Sequence, residues 1–150
     1  MSREEIDQLI EEEFLCRIAF CGKNTPYIAP FQYVLINGQL YFHFTKYGKK
    51  IGFLEEGKSV CVEIEKYTQD LKAYSFVTLT GELKAVKRTE ERVLAIEKIV
   101  ETARRKGLSE NFLAAHGFSR EKGWAQLTPD KPIIIVKLVN VKDRIGLKSP

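Results

Sequence analysis

The sequence predicts a mainly β chain of the α+β class: a six-stranded antiparallel barrel with peripheral helices, built as one domain over residues 1–150. Alternating apolar segments follow one another at hairpin-sized spacings, the pattern of an antiparallel meander. No strand–helix–strand alternation is long enough to build a parallel sheet. A chain of 150 residues that is 44% apolar can bury one core, and no Pro/Gly/Ser-rich stretch or charge run divides it.

Each element has its own signal. Ser2 followed by Glu5 is a capping-box pattern, and Ile6, Leu9, Ile10 and Phe14 recur at helical spacing, so a first helix ends near Phe14. Cys16 to Cys21 is the first strand, closed by a turn from Gly22 to Pro26. Tyr27 to Ile36 is a longer strand, apolar on both faces, with Ile28, Val34 and Ile36 on one and Ala29, Phe31, Tyr33 and Leu35 on the other. Both faces should therefore be covered, one of them by another subunit.

Asn37-Gly38 predicts a type I′ hairpin, and its partner strand, Gln39 to Phe44, directs Leu40, Phe42 and Phe44 to the core and Gln39, Tyr41 and His43 outward. A short helix begins near Gly48, carries Ile51 and Leu54, and is capped by Gly57. Ser59 to Glu65 alternates with Val60, Val62 and Ile64 inward. Ala73 to Val86 is a long strand or bent pair with a bulge at Gly81. Thr89 caps a helix carrying Val93, Ile96, Val100 and Ala103, which ends in Arg104-Arg105-Lys106-Gly107 as the helix dipole favours. A second short helix runs from a Ser109 cap to Gly117, where His116 caps carbonyls, and Ile133 to Val141 is the last strand.

Composition narrows the function classes. Formal net charge is +4, with Lys and Arg interspersed among acidic residues, so there is no polybasic arm for nucleic acid. The acidic N-terminus lacks signal-peptide features, and apolar runs such as Ile133 to Val136 are too short to span a bilayer, so a cytoplasmic protein without a membrane partner is expected. Cys16, Cys21 and Cys61 form no CxxC pair and are expected to be buried free thiols, with Cys16 and Cys21 on opposite strand faces. No second spaced His or Cys accompanies His43, so no metal site is expected. Ser-His-Asp and Cys-His arrangements, Walker loops and GxGxxG motifs are absent.

The chemistry concentrates in one stretch. Phosphate binding needs backbone N–H groups at a helix start, a hydroxyl and cations, and the turn from Thr45 to Lys50 offers Thr45, Lys46, Gly48, Lys49 and Lys50 for it. Around that turn, Pro30-Phe31-Gln32-Tyr33, His43-Phe44-Thr45 and Gly48-Lys49-Lys50 resemble the Pro-x-Asn-Tyr, His-Ser-Ala and Gly-Arg-Lys motifs of the FMN-binding split barrels related to pyridoxamine 5'-phosphate oxidase, particularly their nitroimidazole-reductase-like branch. Tyr74-Ser75-Phe76-Val77 through Gly81 is similar to the family's later strand and Ile133 to Gly146 to its closing strand, so the resemblance covers about Arg17 to Gly146.

The resemblance implies a six-stranded split β-barrel working as a homodimer with flavin between subunits. It places FMN phosphate on the turn and the flavin edge along the backbone of Pro30, Phe31, Gln32 and Tyr33. His43 and Phe44 would line the cofactor pocket, Ser75 would hydrogen-bond the ring or phosphate, and Trp124 would cover the ring from the same or the partner subunit, with packing an equal role for Trp124. The implied activity is an FMN-dependent oxidoreductase passing hydride or electrons between a nicotinamide or other donor and a small acceptor. Alternatives are a flavin carrier or redox sensor, a haem protein using His43, and a deazaflavin in place of FMN. True pyridoxamine phosphate oxidation is disfavoured, because the family's strand Arg near Pro30 and its C-terminal Trp and Arg cluster lack counterparts around Arg144-Ile145-Gly146-Leu147.

Overall fold

The computed structural model describes the chain except Lys23, Asn24, Tyr47, Glu56, Gly57, Lys58, Ala115 and His116, and the side chains of Glu55 and Phe112. The predicted Gly57 and His116 caps thus lie outside the described residues. Six antiparallel strands close a barrel: β1 (Leu15–Phe20), β2 (Tyr27–Ile36), β3 (Gln39–Phe44), β4 (Ser59–Tyr67), β5 (Tyr74–Ala85) and β6 (Ile134–Lys148), in the order β1-β2-β3-β6-β5-β4. The helices are α1 (Arg3–Glu12), α2 (Lys49–Glu55), α3 (Thr89–Arg105) and α4 (Asn111–Ala114). Among the described residues no helix is long and apolar enough to cross a membrane.

Local chemistry explains most boundaries. Ser2 and Glu5 form the capping box of α1 reciprocally, at 3.2 and 2.7 Å. Asn37 and Gly38 take φ of 51° and 76°, as a type I′ turn requires, and so set the β2–β3 register at Tyr33 opposite Phe42. The register of β5 on β6 shifts between Thr80 and Glu82, which is the bulge expected at Gly81. Two boundaries differ from expectation. Thr89 is the first residue of α3 rather than its cap, and Arg88 before it makes no side-chain capping bond. The last strand runs on to Lys148, because the β5 segment from Ser75 to Thr80 supplies ladder partners as far as that residue.

Inward side chains of all six strands form the barrel core, including Ile18, Phe31, Phe42, Phe44, Val62, Ile64, Val77 and Val136. α1 closes one end, tied by Arg144 to Asp7 at 2.8 Å and Lys148 to Glu5 at 2.5 Å. α2 closes the other, where Phe53 stacks on Phe20 and Tyr27. A second core lies outside the barrel: Val34, Tyr41, Ile133 and Ile135 pack beneath Ala95, Ile96, Ile99, Leu113, Trp124 and Leu127. The outer face of β2 is therefore covered by the chain's own helical layer around Val34 and open around Ile28 and Pro30.

Candidate functional site

The turn after β3 leads directly into α2. Gly48 has φ of +96°, which favours glycine, and Ile51 N–H donates to its carbonyl at 3.4 Å as α2 starts. Thr45 is half-buried, Lys46 and Lys49 are exposed, and Tyr47 of this turn lies outside the described residues. Lys50 turns inward, its ammonium 5.0 Å from the centroid of the Phe31 ring. Burial lowers the Lys50 pKa, and among the described residues no carboxylate lies within ion-pair reach of it. An aromatic face compensates a desolvated ammonium only partly, so this cation is suited to an incoming anion.

Strand β2 meets the turn through Phe31, whose ring stacks on Phe44 at 4.7 Å. Phe31, Tyr33 and Phe44 all point into the core, so only their main chain is free for a ligand. The Tyr33 hydroxyl donates to the Ile10 carbonyl at 2.7 Å, and burial pushes its pKa up. Pro30 is exposed on the outer face. Gln32 also faces outward, yet is 2% exposed, and among the described residues neither its amide nitrogen nor its amide oxygen has a hydrogen-bond partner. Such an amide destabilises a fold by about 1–3 kcal/mol. His43 is the next residue of β3 past the Tyr33–Phe42 pair, and is buried beside Ile135 of β6.

Two predicted site residues lie elsewhere. Ser75 faces α1 at the opposite end of the barrel, beside Leu9, Lys66 and Lys148, because the long β5 carries it away from the β3 end. Trp124 belongs to the helical layer, where it is buried and its indole N–H donates to the Leu108 carbonyl at 3.0 Å, so packing is its role within this chain. The expectation of buried thiols holds for Cys16 alone: Cys21 is exposed and Cys61 intermediate, since both stand on the outer face of the barrel.

Charged groups away from the turn are organised into contacts between elements. Glu91 of α3 accepts from the Tyr41 hydroxyl at 2.8 Å and from Lys137 at 2.5 Å, pinning the helical layer to β3 and β6. Arg17 on β1 reaches both Glu63, at 3.3 Å, and Glu65 on β4. These contacts join residues far apart in the chain, so no local spacing announces them. The side chain of Gln32 did carry a signal: it is a polar residue in line with Ile28 and Val34 on a face otherwise apolar. A cavity of about 610 Å³ opens at the α1 end of the barrel, lined by Arg3, Ile10, Leu35, Leu79 and Leu138, away from the turn.

The family model described as pyridoxamine 5'-phosphate oxidase matches residues 2–127. The chain belongs to that family. An uncharacterized protein of Rhizobium meliloti is 29% identical over 90 residues, 60% of this chain, and the match spans 58% of that relative's length. Among solved structures, an FAD-binding protein of Mesorhizobium loti superposes with a TM-score of 0.67 at 15% identity, covering 100% of this chain and 96% of the other. A candidate 5-nitroimidazole antibiotic resistance protein of Bacteroides thetaiotaomicron gives 0.64 at 19% identity, covering 97% and 82%. Both share the fold of this chain.

Proposed function

We propose that the chain is an FMN-dependent oxidoreductase of the cytoplasm that works as a homodimer. The observation that carries this is the partly desolvated Lys50 ammonium over the Phe31 ring, with no carboxylate in ion-pair reach among the described residues, on the turn that also carries Thr45 and Gly48, in a chain of this family. Thr45, Lys46, Gly48, Lys49 and Lys50 hold the phosphate, and the backbone from Pro30 to Tyr33 orients the ring, with His43 lining its pocket. Bound flavin supplies the hydride chemistry between a nicotinamide donor and a small aromatic or nitro-type acceptor. The protein's own part is to bind, orient and exclude water, so no acid–base pair is required of it.

A second copy completes the site. Leu15, Ile28, Tyr67, Ile145 and Leu147 stand exposed on β1, β2, β4 and β6, away from the helical layer of the second core. Exposed large apolar side chains on the outside of a sheet are the material of an association surface, and a two-fold axis would let each chain cover the other.

One absorption spectrum of freshly purified protein, followed by titration of the flavin-free form with FMN, tests the reading. A flavin spectrum and saturable uptake are expected, with steady NADH or NADPH oxidation. Colourless protein that takes up no FMN would sink it, a Soret or deazaflavin band would replace the cofactor, and bound FMN without turnover would make the chain a carrier or sensor.

A further inference from the structure

Along the outer face of β2, cover changes at one residue. Ile28 and Pro30 are exposed, Val34 lies beneath the helical layer, and Gln32 stands between them, opposite Leu15 of β1. Its amide is buried with neither end paired. In the flavin-free chain an apolar side chain of similar volume would be the more stable choice there. An amide at such a place is matched to something the chain alone does not provide.

The chemistry of the amide limits what that is. Nε2 donates and Oε1 accepts, so pairing both ends needs a ligand edge with a carbonyl next to an N–H. Phosphate or carboxylate offers acceptors only and would leave Oε1 unpaired. An ammonium offers donors only and would leave Nε2 unpaired. The neighbouring residue, Phe31, whose ring Lys50 of the phosphate turn touches, points to the opposite face of β2, so the strand's main chain is what links Gln32 to that turn.

We infer that Gln32 recognises the imide edge of the flavin pyrimidine ring, Nε2 donating to a ring carbonyl and Oε1 accepting from the ring N–H, and so sets specificity for the ring. The inference rests on the proposed flavin function. It adds a side-chain contact to a strand otherwise expected to act through its main chain. A nicotinamide carboxamide presents a similar edge, so the test is run without any nicotinamide.

Flavin-free wild type, Gln32→Met and Lys50→Ala are titrated with FMN, riboflavin and 3-methylriboflavin, whose ring N–H is blocked, and the flavin-free proteins are melted. Wild type should bind riboflavin about tenfold more tightly than its 3-methyl analogue. Gln32→Met should lose about that factor for FMN and riboflavin alike, show no preference between the two riboflavins, and melt above wild type when flavin-free. Lys50→Ala should weaken FMN and leave riboflavin unchanged. Wild type that binds both riboflavins equally, or Gln32→Met that binds riboflavin as wild type does, overturns the inference while the flavin function stands. Wild type that binds no flavin overturns both. Should Gln32→Met not fold, discrimination by the wild type still decides.

Discussion

Strand β6 presents two isoleucines on its outward face, and they meet opposite fates: Ile135 is 2% exposed beneath the helical layer and Ile145 is 65% exposed on the open face. Strand β2 repeats the contrast, with Val34 at 3% and Ile28 at 61%. Both strands run continuously from one environment to the other, so the difference is not in strand character. It comes from where α3 and the segment around Trp124 happen to lie. The covered half adds a second core to this chain, whereas the open half leaves apolar side chains at the surface, the side proposed to meet a second copy. Gln32 sits on the boundary between the two.

The sharpest break between the halves is a matched pair of substitutions. Ile135→Ala should destabilise the chain by about 3 kcal/mol in denaturant unfolding, while Ile145→Ala should stay within about 0.5 kcal/mol. Equal losses at both positions would erase the contrast. Next in size, Ile145→Asp should leave unfolding of the single chain little changed but weaken self-association by about 2 kcal/mol, read as a shift to monomer in sedimentation. A variant that still sediments like wild type would place the partner surface elsewhere.

The turn offers a smaller effect. Lys50→Ala should lower FMN affinity by roughly tenfold, about 1.4 kcal/mol, with thermal stability nearly unchanged, because among the described residues the ammonium pairs with no carboxylate. A large loss of stability instead would make Lys50 a structural cation over Phe31.

The smallest effect concerns the seam of the covered half. Burial, and then the hydrogen bond to Glu91, raise the Tyr41 pKa to about 12. The folded chain therefore holds this proton more tightly than the unfolded one. The stability it contributes is complete below the unfolded tyrosine value of about 10 and is lost as pH rises through the folded value. Unfolding midpoints between those limits should fall with pH in wild type and less steeply in Tyr41→Phe, with phenolate absorbance tracking the change. A slope unaltered by the substitution would assign the titration to another group.

Much of this was legible beforehand because it is local. Asn37-Gly38 fixed β2 and β3 to the residue, alternation put Val60, Val62 and Ile64 inside, and Ser2 with Glu5 announced α1. The turn with Thr45 and Lys50 was visible as a motif. That Ser75 stands at the α1 end and Trp124 within the helical layer was not legible, because their positions depend on the length of β5 and on where a short 3-10 segment docks, and neither is encoded within a few residues of them.

The sequence by itself determined which residues alternate, where the chain turns and what donors the turn carries, since propensity and periodicity act over one or two turns of chain. Tertiary structure alone decided which half of each outward face is covered, that Glu91 would join Tyr41 and Lys137, and that Gln32 would be buried unpaired. Burial is a property of what packs above a residue, and what packs above β2 comes from α3 onward, more than fifty residues later in the chain.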